Sequence, residues 1–472
     1  MRVETRESRE GARDVTPEAI EALRAGLTGT LLRAGDAGYD EARTIWNGMV
    51  DRHPALIVRC RSVSDVAHAV DFAREHDLLL AVRGGGHNIA GNAVCDDGLV
   101  IDLSGMRDVR VDATARRVTV EAGATLADLD AATQAHGLAV PVGINSTTGI
   151  AGLTLGGGFG WLSRKYGMTV DSLESAEVVT AAGEVVRASV SEHPDLFWAL
   201  QGGGGNFGVV TRFEFRLYPI GPDVLSGLIV YPLAQAKSVL RQYGAFMAGA
   251  PDDLTVWAVV RHAPPLPFLP ADVHGKEIVA LAVFYAGDPE RGKALIEPLR
   301  RLGTPVGEHV GVQPYTAWQQ TFDPLLTAGA RNYWKSHNLV ALQEGLLERV
   351  VSSAGELPSP QTEIFIAALG GATLRPAPEA TAYAHRDVRF VMNVHGRWDD
   401  PTDDEQGVAW TRNFFTATAP FATGGVYVNF LTADEGYRIG AAYGASYPRL
   451  AQVKRRYDPK NLFRMNQNVA PA

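Results

Sequence analysis

The chain has 472 residues, 46% hydrophobic and 21% charged, a globular composition long enough for two or three domains. Its formal net charge of -9 at pH 7, with no long Lys/Arg cluster, argues against a general nucleic-acid binder. Cys60 and Cys95 are the only cysteines, no apolar run approaches the roughly 18 residues of a membrane span, and the charged start "MRVETRESREGARD" has no apolar secretory segment; the expectation is a soluble cytoplasmic protein, neither disulfide-built nor membrane-bound.

The first 15 or so residues read as a mobile tail. "TPEAIEALRAGL" places Thr16 at an N-cap and reads as a short helix. "PALIVRC" reads as a strand, and "SVSDVAHAVDFAREHDL" as an amphipathic helix starting near Ser62 or Ser64. "LLLAVR" is a strand that runs into a first glycine cluster. "GLVIDLS", "RDVRVDA" and "RRVTVEAG" follow as short strands, then "TLADLDAATQAHG" as a helix closed by Gly137. A second glycine cluster, "GIAGLTLGGGFGWLS", precedes "LESAEVVTAAGEVVRAS", a hairpin around Ala182 and Gly183. "PDLFWAL" is a helical turn, "QGGGGNFG" a third glycine cluster, and "VVTRFEFRLYPI" a strand ending at Pro219. Residues from about 50 to 220 thus form a strand-rich α+β unit with glycine loops between its elements.

After Gly221 the strand candidates are "LTVWAVVRH", "EIVALAVFYAG", "TEIFIAALGG" and "VRFVMNVHGRW". They are separated by helical stretches such as "LAQAKSVLRQYGAFM" and "GLLERVVSSAG". This is the pattern of a mostly antiparallel sheet with helices on one face. "HAPPLPFLPADVHG" is a proline-rich loop, and no internal repeat stands out.

Two motifs invite a wrong reading. Gly203, Gly205 and Gly208 satisfy G-x-G-x-x-G. A dinucleotide fold needs a strand before that motif and a helix after it, and here the order is reversed. "GDPERGKA" from Gly287 is one residue from a P-loop but lacks the Ser/Thr that holds magnesium, and Asp288 and Glu290 would repel phosphate; it reads as a strand-to-helix turn. No zinc-protease, C-x-x-C or G-x-S-x-G motif occurs, and no metal site is expected.

"VRGGGHN" alone is open between a tight bend with a solvated histidine and an anion-binding nest of glycine amides. Two further glycine loops in the same unit suggest one long ligand threaded between all three. Taken in order and spacing, five stretches resemble the berberine bridge enzyme-like family of FAD-linked oxidoreductases, within the vanillyl-alcohol oxidase or PCMH-type flavoprotein fold. They are "VRGGGHNIAG", "GLTLGGGFGWLSRKYGMTVDSL", "DLFWALQGGGGNFGVVTRFEFRL", "VYVNF" and "KRRYDPKNLFRMNQNV". The resemblance covers nearly the whole chain. It implies an α+β fold with a PCMH-type FAD-binding domain made from both ends, residues 1–220 (core about 50–220) and 425–472. Residues 221–424 form an inserted α+β substrate domain, its antiparallel sheet carrying helices on one face.

The resemblance further implies that Arg83, Gly84, Gly85, Gly86, His87 and Asn88 wrap the FAD pyrophosphate, with Val82 and Gly91 beside them. It implies a covalent bond from His87 to the 8α-methyl of the flavin. Thr147, Thr148, Gly149, Gly152, Gly156, Gly157 and Gly160 would lie along the cofactor, with Val209 near its adenine end. Tyr427, Asn429, Asn466 and Asn468 would return to the isoalloxazine. Many family members attach the flavin a second time, through a cysteine at the position of Asn145 in "VGINSTTG"; attachment through His87 alone is therefore expected here.

The implied chemistry is hydride transfer from a small-molecule substrate to the flavin, with dioxygen as acceptor and hydrogen peroxide formed. Tyr427 matches the base of several members, and an unperturbed tyrosine, with a pKa of about 10, needs a nearby positive charge or the flavin for that task. Lys335 and Arg386 are candidates for the charge. Period-2 counting puts Trp257 with Val259, Glu363 with Phe365, and Asn393 with His395 on shared strand faces. Trp257, Phe365 and Phe390 would suit an aromatic or polyketide-like substrate; Glu363, Asn393 and His395 would suit a sugar. A dehydrogenase with another electron acceptor, and a flavin carrier without turnover, are the rival readings, and the oligomeric state is left open.

Overall fold

The apolar runs at Leu56–Arg59, Leu99–Asp102 and Leu80–Arg83 pair in parallel, in that order, with Thr30–Leu32 antiparallel on the outer side. This computed structural model describes residues 15–472; the tail reading falls, but for its last residue, outside them. The crossover helix Val63–Glu75 starts at a capping box, in which Ser62 and Asp65 bond each other's backbone N–H groups. It buries Val66, Ala69, Val70 and Ala73 at helical spacing. Leu80–Arg83 then leaves the sheet directly into Gly84, so the first glycine loop lies at the carboxyl end of a parallel strand, where open sheets bind ligands.

A five-stranded antiparallel sheet follows, in the order Val109–Asp112, Arg117–Glu121, Val209–Arg216, Leu173–Val179, Val185–Ser189. Its central strand alternates as expected: Thr211, Phe213 and Phe215 are buried, while Arg212, Glu214 and Arg216 are less so. The helix Pro194–Leu200 precedes the third glycine cluster and a strand follows it, so the dinucleotide motif fails in structure as in sequence. One core joins both sheets to the chain's last section, through Val426, Val428, Leu450, Phe463 and Val469.

The largest sheet has seven strands, all antiparallel, in the order Gly307–Pro314, Asp223–Pro232, Glu277–Tyr285, Leu254–His262, Glu363–Ala368, Phe390–Trp398, Arg331–Leu339. Helices Ala236–Gly249, Glu344–Ala354 and Asp404–Thr418 bury Val239, Leu240, Tyr243, Leu347, Val350 and Phe414 in the second large core. Three of these strands lie beyond the expected set. Gly307–Pro314 is a half-exposed edge, Asp223–Pro232 contains Gly227 where a Cβ would stand 1.9 Å from His309 O, and Arg331–Leu339 is polar but buried. After Glu277–Tyr285, Asp288 caps the helix Pro289–Ile296 with its own carboxylate, which confirms a plain strand-to-helix turn. Among the described residues, no helix is long and apolar enough to cross a membrane, and no His/Cys/Asp/Glu group is arranged to hold a metal ion.

Candidate active site

The first two glycine loops meet back to back. A Cβ on Gly85 would stand 2.3 Å from Gly149 N, and one on Gly149 would stand 2.3 Å from Gly85 N. Only a pair without side chains lets these two backbones lie against each other. One cavity runs from here between the two units. Its wall includes Val82, Gly84, Gly85, Gly86, His87, Asn88, Asn145, Thr148, Gly149, Gly152, Val209 and Asn466, together with Gly204, Gly205 and Gly208 of the third cluster. It continues past Tyr427 and Asn429 to Trp257, Val259, Glu363, Phe365 and His395 on the seven-stranded sheet.

Other expected residues stand behind that wall. The Arg83 guanidinium donates to Ala42 O. Gly91, at φ +79, closes a turn against Val50, with its N–H on Asn88 O. Thr147 backs His87, with its Oγ1 3.0 Å from His87 Nε2. Gly157 and Gly160 pack on Tyr383 and on Val142 O. Asn468 is not on the wall, and its Oδ1 is buried. Phe390 is on the opposite face of its strand: alternation sends Phe390, Met392 and Val394 toward the helices, and Phe390 packs on Tyr243 at 6.2 Å. Its place in an aromatic pocket is thereby corrected. Asn393 shares the His395 face but is covered, opposite Phe365 in the register.

His87 stacks on Trp46, with centroids 5.1 Å apart at 21°, and Trp46 N–H holds Gly86 O at 3.1 Å. Burial pushes the His87 imidazole down to about 4, against a smaller opposing contact from Thr147, so the ring is neutral at physiological pH.

Tyr427 Oη accepts two hydrogen bonds, from Gly158 N–H at 3.1 Å and from Asn429 Nδ2 at 3.0 Å. The same Asn429 amide donates to the Gly152 and Leu153 carbonyls. Gly156 makes room for it, since a Cβ there would stand 2.2 Å from Asn429 Oδ1. Phe159 and Phe430 enclose the Tyr427 ring edge-on at 4.8 and 4.9 Å. Burial pushes the phenol up to about 12, and the two hydrogen bonds oppose this without prevailing. Neither expected cation touches it. Lys335 alternates away from the cavity and is held by Thr432 and Asp434. Arg386 grips Asp171 and lies over the Tyr383 ring, which intervenes.

The far wall is aromatic with one ion pair. Trp257 and Phe365 stack at 6.0 Å and 10°. Arg261 Nη1 meets Glu363 Oε2 at 2.7 Å. Burial raises the Glu363 carboxyl, but the surrounding positive charge, Arg261 first, leaves it below the usual range. Both ring nitrogens of His395 face acceptors: Nδ1 lies 3.4 Å from Glu363 Oε1, and Nε2 lies 3.0 Å from Asn332 Oδ1. Asn332 Oδ1 also accepts from Arg397, which fixes the orientation of that amide. Both His395 nitrogens are thus turned to groups of the protein. Sequence reasoning missed Trp46, Phe159, Arg261, Trp334 and Phe430. Arg261 was within reach, because it continues the period-2 series of Trp257 and Val259.

Residues 54–189 match the family described as FAD binding domain, and residues 426–470 the family described as Berberine and berberine like. An FAD-linked oxidoreductase of Dictyostelium discoideum is 32% identical over 466 residues, 98% of each chain. The chain belongs to the berberine bridge enzyme-like family of FAD-linked oxidoreductases. (R)-6-hydroxynicotine oxidase of Paenarthrobacter nicotinovorans is 31% identical over 464 residues, 94% of this chain and 97% of that one. The crystal structure of 6-hydroxy-D-nicotine oxidase from Arthrobacter nicotinovorans matches with a TM-score of 0.85 at 28% identity, over 94% of this chain and 98% of that one. Xylooligosaccharide oxidase from Myceliophthora thermophila C1, solved with xylobiose, matches with a TM-score of 0.84 at 26% identity, over 96% of this chain and 99% of that one.

As a berberine bridge enzyme-like protein, the chain is an FAD-dependent oxidoreductase with the α+β architecture of that family. Its residues fit the cofactor. The Gly85–Gly149 contact leaves bare backbone along the cavity. Asn466 is fixed through Nδ2 on Gly205 O and Phe463 O, while its Oδ1 is a buried acceptor on the cavity wall without a partner in the chain. A hydroxyl of a bound dinucleotide would satisfy it.

Proposed function

We propose that this protein is an oxidase of small aromatic or heteroaromatic alcohols, amines or phenolics, that it carries FAD covalently on His87 alone, and that dioxygen is its electron acceptor. The observation that carries the reading is the position of His87, a neutral imidazole at the cavity wall with Asn145 where a second attachment would need a thiol. Cys60 and Cys95 are both buried, and neither lines the cavity. Burial pushes both thiols up, Cys95 to about 12. The aromatic class follows from the wall. Its apolar surface is Trp257, Phe365, Phe430 and Trp334, while Arg261 Nη1, Glu363 and His395 are engaged with one another and with Asn332, which favours a flat apolar ligand over a sugar. The named substrates of the relatives include both a hydroxynicotine and a xylooligosaccharide.

Bound FAD supplies the hydride acceptor and returns the electrons to dioxygen. Tyr427 takes the substrate O–H or N–H proton. Gly158 N–H and Asn429 Nδ2 hold its oxygen still and favour the phenolate. Trp257 and Phe365 press a flat substrate into place and exclude water. The FAD-binding part is residues 1–220 and 425–472, supported by the core shared between the first two sheets and the last section; the substrate part is 221–424, supported by the second core. The cytoplasm is the proposed location, supported by two unpaired buried cysteines.

The test is acid precipitation. Wild-type protein keeps its yellow colour and a flavin-bearing His87 peptide, and His87→Ala releases the colour. A colourless pellet from active wild type refutes the linkage. A panel of aromatic amines, alcohols and phenolics then bleaches the flavin anaerobically and yields peroxide in air. Slow reoxidation by air would favour the dehydrogenase reading, and no bleaching by any compound the carrier reading.

A further inference from the structure

The hydrogen bonds beside His87 have a direction that can be worked out. Thr147 backbone N–H lies 3.0 Å from the Asn145 side chain at Oδ1. A backbone N–H only donates, so that amide atom is the oxygen, and Asn145 Nδ2 turns to Leu326 O at 3.4 Å. Thr147 Oγ1 lies 2.7 Å from the same Oδ1. An amide oxygen has no proton to give, so the hydroxyl gives its only one. Its other contact, 3.0 Å to His87 Nε2, is then one that the hydroxyl accepts. The imidazole proton sits on Nε2, and the lone pair is on Nδ1.

The arrangement is pinned on every side. Ser146, between the two residues, bonds Asp323 through both its N–H and its hydroxyl. Trp46 stacks on the imidazole and donates its Nε1–H to Leu326 O, the carbonyl that Asn145 also uses.

We infer that Asn145 and Thr147 are positioning residues that hold His87 as its Nε2–H tautomer, which makes Nδ1 the atom that bonds the cofactor. The inference rests on the reading that His87 carries the FAD. Nδ1 forms the bond to the 8α-carbon with its lone pair, one C–H bond of that carbon breaks, and Nε2 gives up its proton. Both hydrogens and the C–H electron pair pass to the isoalloxazine, leaving it reduced by two electrons. Dioxygen then takes two electrons and two protons as hydrogen peroxide. Asn145 is thus more than a missing cysteine: its oxygen occupies the hydroxyl proton that would otherwise point at Nε2 and drive the imidazole to the opposite tautomer.

The test reads attachment, not turnover. Full-length protein made under riboflavin limitation is given FAD, and acid-stable flavin is followed with time by intact mass, alongside total bound flavin. Thr147→Val slows attachment by about tenfold, the worth of one hydrogen bond, and Thr147→Ser restores it. Asn145→Asp keeps an acceptor for the hydroxyl and attaches near the wild-type rate, whereas Asn145→Ala frees the hydroxyl to donate and attaches more slowly than Thr147→Val. Adding Thr147→Val to Asn145→Ala then makes attachment no slower. A purely structural role would give additive losses and no rescue by Asp. Should Thr147→Val fail to fold, the Asn145→Asp and Asn145→Ala pair decides by itself. Wild type without acid-stable flavin overturns the attachment reading and this inference with it. Acid-stable wild type, with Thr147→Val or Asn145→Ala at the same rate, overturns the inference alone.

Discussion

Gly85 and Gly149 close the cofactor cavity from two loops sixty-odd residues apart, each with its Cα turned to the other's backbone nitrogen. A methyl group on either would have to displace main chain and not a flexible side chain. Gly149→Ala is therefore expected to cost about 1–3 kcal/mol, the range for overpacking a close contact, and to lose bound flavin. Thermal unfolding and the flavin-to-protein absorbance ratio check both. Gly440→Ala is the control: it is exposed in the helix Ile439–Tyr443, off the cavity wall, a Cβ there meets nothing within 4 Å, and it should keep its flavin.

Much of this was legible in the chain. Local signals carried the helix start near Ser62, the hairpin around Gly183 and the antiparallel strands at Leu254–His262 and Phe390–Trp398. What escaped depends on contacts between distant residues. Period-2 counting sorts Phe390 from Asn393 but cannot say which face meets the cavity; the pairing of Phe365 with Asn393 and of Val259 with Phe365 decides that. Arg331–Leu339 is buried without being apolar. Polar side chains in it are held from elsewhere, Asn332 by His395 and Arg397 and Lys335 by Asp434, so no hydrophobic pattern marks it.

Tyr427 gives a pH signature. With its phenol held at about 12, the ionised fraction rises about tenfold per pH unit below that value, so proton removal by Tyr427 makes flavin reduction faster as pH rises. Tyr427→Phe should slow reduction by about 10²–10⁴-fold and flatten the profile. Anaerobic stopped-flow from pH 6 to 10 measures both. A wild-type profile without a rise, or a Phe variant as fast as wild type, removes Tyr427 as the base.

Arg261 and Glu363 form a buried pair on the substrate wall, with both side chains 11% exposed. Glu363→Gln leaves the guanidinium without its counter-charge, and breaking a buried pair from one side costs about 3–5 kcal/mol. The same change should tilt the pocket toward anionic ligands. KM for an aromatic carboxylate falls relative to that for its neutral analogue, and Arg261→Met shifts it the other way. Equal KM ratios in all three proteins would show that the pair does not face the substrate.

Asp130 couples the two parts of the molecule through a proton. It sits in the helix Leu126–Gln134, 3% exposed, and Oδ2 accepts from Gln319 Nε2 of the helix Tyr315–Gln319 at 3.0 Å, while Oδ1 has no hydrogen bond. Burial raises the carboxyl to about 7, with the Gln319 hydrogen bond opposing. The sign follows from linkage: between the unfolded value of about 3.9 and the folded one, the folded state binds the proton more tightly, so stability falls as pH rises through that window. At about 1.4 kcal/mol per decade of proton affinity, the loss is bounded at about 4 kcal/mol above pH 7. Asp130→Asn cannot ionise. It should stabilise the protein at pH 8 by about 1–3 kcal/mol, the unpaired amide N–H taking back part of the gain, and by about 2–3 kcal/mol less at pH 5, where the folded carboxyl is protonated but the unfolded one is already largely ionised. Urea unfolding at the two pH values checks the difference. A gain of equal size at both would assign the effect to packing, and no gain at pH 8 would mean that the carboxyl is ionised at little cost.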